Sequence, residues 1–257
     1  MLVAAAVCPA PPLLVPEVAS AAAAELDGAR TACSDALAVL AASRPGLLVV
    51  VGAAGSGGAG PYPEGSRGGF QGFGVDCGVR LGDGGRPGGD DGDGGARWGD
   101  GPGDGPGEGA RPLPPALAVG AWLLDHARWG AAPVEGFAVA QSLETGKALR
   151  TGRDLAARED RVALLVMGDG SACRTLKAPG YLDERADAFD AAAAAALATA
   201  DTAALAALDV TLAAELQAAG RAPWQVLAGA AEGAGLDGRL LYEDAPYGVG
   251  YFVAAWS

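Results

Sequence analysis

The chain has 257 residues, half of them apolar and 6% aromatic, with a formal net charge of −13. That length and apolar share suffice for one sizeable α/β domain, and the acidity removes the basic footprint that nucleic acid or an anionic membrane would require. The four cysteines, Cys8, Cys33, Cys77 and Cys173, form no CxxC pair and no dense framework, so reduced thiols in a cytoplasmic setting are expected and a Cys-rich metal site is not.

Residues 2–8 read as a short buried strand that runs into the proline-rich turn "PAPP". Residues 15–43 read as helix, because Leu26, Ala29, Cys33, Leu37 and Leu40 recur at helical spacing. Pro45-Gly46 stops it. "LLVVVG", 47–52, is continuously apolar, as in a parallel sheet covered on both faces. A glycine-rich loop follows, and the alternation in 73–81 reads as a strand. Residues 82–111 have almost no apolar content. They concentrate Asp83, Asp90, Asp91, Asp93, Asp100, Asp104 and Glu108 against Arg86 and Arg97. This reads as a disordered Gly/Asp-rich insertion. It lacks the regular aliphatic position that a calcium-binding repeat needs.

Beyond it, 114–130 reads as helix, 134–140 as strand, 142–160 as helix, and "RVALLVMGDGSA", 161–172, as a buried strand ending in a glycine-rich turn. Residues 183–219 read as two alanine-rich helices with Asp201-Thr202 as an N-cap between them. A short helix over 223–235 and two strands over 238–256 close the chain. Strands alternating with helices predict one α/β domain spanning 1–257 with a mostly parallel sheet. Ligands then sit beyond the carboxyl ends of the strands, where "CPAPP", "VGAAG" and "MGDGSACRT" would converge. No segment reaches the roughly 18 uninterrupted apolar residues of a membrane helix. The apolar start lacks a basic segment and is broken by proline, so no signal peptide is expected.

One histidine in the whole chain excludes a two-His-one-carboxylate iron site within it. That residue, His126, reads either as a helix-face histidine bonded to a neighbour or as a pocket acid-base group. Glu243, at the end of an apolar strand, reads either as a partner of arginine or backbone amides or as a ligand or base. "GDGS", 168–171, could present backbone N–H groups to an anion, but no Walker loop is present. Ser171 lies in no GxSxG elbow and has no second histidine for an ordinary triad. Cys8, His126, Cys173 and Glu243 could be imagined as a zinc set, although inert buried thiols are commoner.

Taken together, "VCPAPPLLVPEV", "LLDHARW", "GDGSACR" and "EDAPYGVGYF" resemble the class III extradiol ring-cleavage dioxygenase family. The likeness is to the catalytic β-subunit of protocatechuate 4,5-dioxygenase and its relatives, including the Memo-type proteins. The resemblance implies a three-layer α/β/α fold around a mixed sheet. It also implies non-haem Fe(II) held by two histidines and a glutamate, with a further histidine for acid-base chemistry. Carried onto this sequence, the first ligand position is Ala10, the second Ala54 and the acid-base position Ala172. Glu243 survives as the carboxylate. His126 keeps its place, followed by Ala127 instead of glycine, with Trp129 retained.

Three imidazoles are therefore missing at once. The expectation is a protein of this type that has lost Fe(II) and ring cleavage, with no cofactor, kept as a module for an unidentified small molecule or protein partner. Two other readings stand beside it. One is a working enzyme with a metal-free or Cys/His/Glu zinc site. The other is a structural subunit or homo-oligomer in which the acidic loop docks a basic partner.

Overall fold

The computed structural model describes residues 1–55, 57–82 and 111–257. Nearly all of the 82–111 insertion lies outside the described residues.

The sheet has seven strands. In chain order its members are β1 (Leu2–Cys8), β2 (Leu47–Ala54), β3 (Gly60–Tyr62), β6 (Val134–Ala140), β7 (Val162–Met167), β8 (Gly238–Asp244) and β9 (Tyr251–Trp256). Their spatial order is β3-β6-β2-β7-β1-β9-β8, and β4 (Arg67–Gly69) and β5 (Gly78–Arg80) form a separate ribbon. The four central strands β6, β2, β7 and β1 are parallel, whereas β3, β9 and β8 join antiparallel at the two sides. The central strands are almost wholly buried, as their continuous apolar runs require.

Helices cover both faces. Ala4, Ala6, Cys8, Leu48, Val50, Leu165 and Met167 point to one face, where α2 (Asp27–Ala42) and α3 (Pro115–His126) pack. Ala5, Val7, Val49, Val51, Leu164 and Val166 point to the other, under α4 (Thr145–Ala156), α5 (Ala186–Ala198) and α8 (Arg221–Ala231). The fold is thus α/β/α around a mixed, mostly parallel sheet. Helices α4 and α8 approach backbone to backbone. A Cβ at Gly152 would lie 2.0 Å from the Val226 carbonyl oxygen, and one at Gly229 2.1 Å from that of Leu149. Every residue of α8 is buried, which explains a helix without a polar face. No helix among the described residues is long and apolar enough to cross a membrane.

Several expected elements are shorter or more broken. The helix expected over 15–43 divides into α1 (Pro16–Ala19), a 3-10 turn over Ser20–Leu26, and α2. The break falls at Ser20, whose φ is +51°, a region that L side chains rarely adopt. The strand expected over 73–81 is only β5. The loop before it supplies β3, which pairs with β6 through Gly60–Tyr62. The alanine-rich stretch makes three helices, not two: α5, α6 (Thr202–Ala206) and α7 (Val210–Glu215). Asp201 caps α6, accepting the Ala204 N–H at 2.9 Å, and Asp209 caps α7 through the Leu212 N–H at 2.6 Å. The second cap is the signal that divides the stretch again.

Candidate functional site at the carboxyl ends of the strands

The turns after β1 and β7 are tied together. The register aligns Cys8 with Met167, and the Gly168 N–H donates to the Cys8 carbonyl at 3.0 Å. One step further, the Ala10 N–H donates to Asp169 Oδ1 at 2.8 Å. Side chains in a strand alternate between faces. The series Ala163, Leu165, Met167 therefore carries Asp169 to the face that also holds Ala10 and Ala54. The Asp169 carbonyl accepts the Gly220 N–H at 2.7 Å, at the start of α8. Arg221, buried beside it, donates to the Leu143 carbonyl, the Gln141 carbonyl and Gln225 Oε1. These bonds fix the floor under the β7 turn.

Asp169 is only partly accessible, and burial pushes its carboxyl up to about 7, opposed by the Ala10 N–H. Desolvation disfavours the ionised form, and one backbone donor offsets only part of that cost. Close by on β9, Tyr251 is 2% exposed. Burial raises its phenol well above the ordinary value, with Asp169, Tyr247 and Tyr242 adding to the rise. On the far side of the same turn stands a second aspartate. Asp190 of α5 accepts the Ser171 N–H at 2.7 Å and Ser171 Oγ at 2.8 Å, and pairs with Arg174 at 3.1 Å.

The residues singled out from sequence do not assemble. Ala10 and Ala54 share one face, two strand positions apart with β7 between them, or roughly 10 Å. Glu243 pairs with Phe252, which belongs to the opposite face, and its side chain is exposed on the edge strand β8. His126 ends α3. Gly52 packs against Ala116 and Leu117, and Gly120 against Val50, so α3 runs antiparallel to β2 and leaves His126 at the amino ends of the strands. There its Nδ1 lies 3.0 Å from the Trp122 carbonyl and its ring stacks on Trp122 at 3.8 Å. Ser171 is fully buried, its hydroxyl committed to Asp190. Cys173 is 2% exposed, with Sγ 3.6 Å from the Gly180 carbonyl and 3.5 Å from that of Leu216. Burial raises its thiol, the setting of an inert cysteine. Cys8 lies under the sheet's first face, against the Cys33 thiol.

The zinc set therefore does not form. Among the described residues no group of three His, Cys, Asp or Glu side chains is placed to hold a metal ion. Fe(II) does not fit either. The positions that the family resemblance assigns to ligands and acid-base chemistry present methyl groups at Ala10, Ala54 and Ala172, and Glu243 faces away from them. Nor is the 168–171 turn an anion nest. The N–H groups of Gly168, Gly170 and Ser171 are spent on the Cys8 carbonyl, the Gly250 carbonyl and Asp190. Asp169 was the residue missed. Its signal was the alternation of β7, which places the first polar side chain beyond the strand beside the "PAPP" turn.

No family model matches this chain, and no curated protein does. Among solved structures it is similar to the crystal structure of the uncharacterized protein JW3007 from Escherichia coli K12. That likeness has a TM-score of 0.54 at 14% identity and covers 99% of each chain. It concerns the fold alone, along the whole length of both proteins.

Proposed function

We propose that this chain is a class III extradiol dioxygenase-like protein without Fe(II) or ring-cleavage activity, retained as a cytoplasmic small-molecule-binding module. One observation carries the reading. The rigid turns that aim side chains beyond the carboxyl ends of β1 and β2 are kept and packed, but they present Ala10 and Ala54. A methyl group cannot coordinate a metal, and activation of substrate by a metal needs ligands that hold it. Asp169 is the carboxylate beside Ala10 at this end of the sheet. The four free cysteines support a reducing compartment.

The test is metal content and turnover. Protein loaded anaerobically with Fe(II), then desalted, is expected to retain far less than one equivalent and to give no ring-opened product from protocatechuate or catechol. One tight equivalent of iron together with ring-opened product would overturn the reading. An oligomeric or partner-binding role is favoured by one further observation. Leu176 and Tyr181 are each 62% exposed on a single loop, beside the half-exposed Leu182, and a clustered apolar surface is a common contact feature. Sedimentation of wild type against Leu176→Ser/Tyr181→Ser tests it, a lower mass in the variant being the supporting result.

A further inference from the structure

We propose that Asp169 and Tyr251 form a binding site for a small organic ammonium ion. The cationic nitrogen would lie against the free oxygen of Asp169, with the Tyr251 hydroxyl oxygen as a second acceptor. This rests on the reading of the strand ends as a small-molecule site and specifies its ligand.

The first argument is an unmatched charge. Asp169 Oδ1 accepts the Ala10 N–H, while Oδ2 accepts no hydrogen bond from the described residues. No arginine, lysine or histidine among them pairs with it. Arg174 is engaged with Asp187 and Asp190, Arg185 with Asp183 and Glu215, Arg153 with Glu232, and Arg30 with Asp27. A desolvated carboxylate needs a countercharge or a proton. The fold supplies no countercharge here, and a bound ammonium would.

The second argument is an idle hydroxyl. Tyr251 is nine-tenths buried and more, yet its hydroxyl makes no hydrogen bond among the described residues. The Tyr247 hydroxyl, on the turn before β9, is buried without a hydrogen-bond partner among the described residues, and buried hydroxyls ordinarily find one. The Gly170 N–H donates to the Gly250 carbonyl at 2.7 Å, which sets Asp169 and Tyr251 on adjoining strand ends, and Asp169 adds to the rise of the Tyr251 phenol.

The third argument is the company they keep. Tyr247, on the turn before β9, and Tyr242 of β8 act on Tyr251; behind them stand Asp244 by Tyr242, Glu25 by Tyr247, and the Cys33 thiol against Cys8. All are acidic or neutral. Of the cations nearby, Arg30 sits by Cys33 and donates to Asp27 and the Ala23 and Leu14 carbonyls, and Arg174 is paired with Asp187 and Asp190. An anionic ligand would be repelled by the ionised Asp169 carboxylate, whereas a cation would neutralise it. The three phenols and the Cys33 thiol are all raised. They stay neutral near pH 7, where Asp169 changes charge.

The probes are benzylammonium, its neutral counterpart benzyl alcohol, and the anion benzoate, added to the full chain. Binding is read by calorimetry and by the 15N–1H shift of the Ala10 amide, which reports on Asp169 directly. Benzylammonium is expected to move the Ala10 resonance. Its affinity should rise about tenfold per pH unit between pH 5 and 6.5 and level off above about 7, with release of about one proton per ligand at pH 6. Asp169→Asn should weaken it by at least about tenfold, a typical loss for an ion pair, and Tyr251→Phe by a smaller factor. Benzyl alcohol or benzoate moving the Ala10 amide while benzylammonium does not would overturn the ammonium assignment and leave the small-molecule site standing. Silence of the Ala10 amide toward all three probes would remove both. Equal benzylammonium binding by wild type and Asp169→Asn would also overturn the proposal.

Discussion

Two aspartates meet at the Gly-Asp-Gly-Ser turn after β7, Asp169 within it and Asp190 of α5 against it, and they are used in opposite ways. Asp190 receives two hydrogen bonds from Ser171 and an ion pair from Arg174, which also reaches Asp187. Burial still raises its carboxyl, but the donors pull against that rise. Asp169 receives one backbone N–H and nothing else from the described residues. Asp190 is a brace that fastens the turn to α5. Asp169 is a group held ready, whose interaction capacity the fold leaves half unused. The same residue type beside one turn is structural where its partners are complete and available for binding where they are not.

The strongest way to break this contrast is to remove the brace. Asp190→Ala would leave Arg174 without its buried partner and Ser171 with two unmet donors. A loss of about 3–5 kcal/mol is expected in urea unfolding, and a loss under about 1 kcal/mol would mean the network is not the brace described. Asp169→Asn should act in the other direction. A carboxyl held at about 7 in the folded chain, against about 3.9 unfolded, binds more protons folded than unfolded across that window. Stability therefore falls as pH rises from about 4 to about 7, by about 4 kcal/mol at most. The variant should lack this decline and exceed wild type at pH 8, while the two converge near pH 4. Parallel pH profiles of the two proteins would refute the assignment.

Smaller effects sharpen the same contrast. A Cβ at Gly170 would lie 2.7 Å from both Asp190 Oδ1 and Phe252, so Gly170→Ala should cost about 1–3 kcal/mol through overpacking. Ser171→Ala removes one hydroxyl bond to Asp190 and should cost about 1 kcal/mol, while leaving the Asp169 titration in place by 13C NMR. Glu243→Gln, on an exposed edge strand, should change stability by no more than about 0.5 kcal/mol. It should leave the Ala10 amide resonance unmoved, and a large shift there would put Glu243 back at the site.

The strands were the most legible part of the sequence. The apolar runs at 2–8, at 47–52 and within 161–172 are long enough, and buried enough on both faces, to read as strands, and 134–140 reads as one although β6 mixes buried with half-buried residues. The divisions within helical stretches were less so. The break at Ser20 follows from a positive φ that composition does not announce, and β3 exists because β6 offers it an edge. Glu243 illustrates the limit for the site. Its position at the end of an apolar strand was visible, but the face it takes depends on pairing with Phe252 across β8 and β9, and a shift of one residue reverses a strand's faces.

The sequence by itself determined the class of fold and the absence of an imidazole set, because both follow from residue types and their period. It also showed that the "PAPP" turn presents a methyl group. Only the tertiary structure decided which carboxylate matters. Asp169, Asp190 and Glu243 are alike in a list of residues. They differ in the donors that distant segments bring to them: one backbone N–H from Ala10, a full complement from Ser171 and Arg174, and open solvent. Those donors arrive from up to 159 positions away in the chain, so the ionisation and the role of each carboxylate are set by contacts that exist only once the sheet has formed.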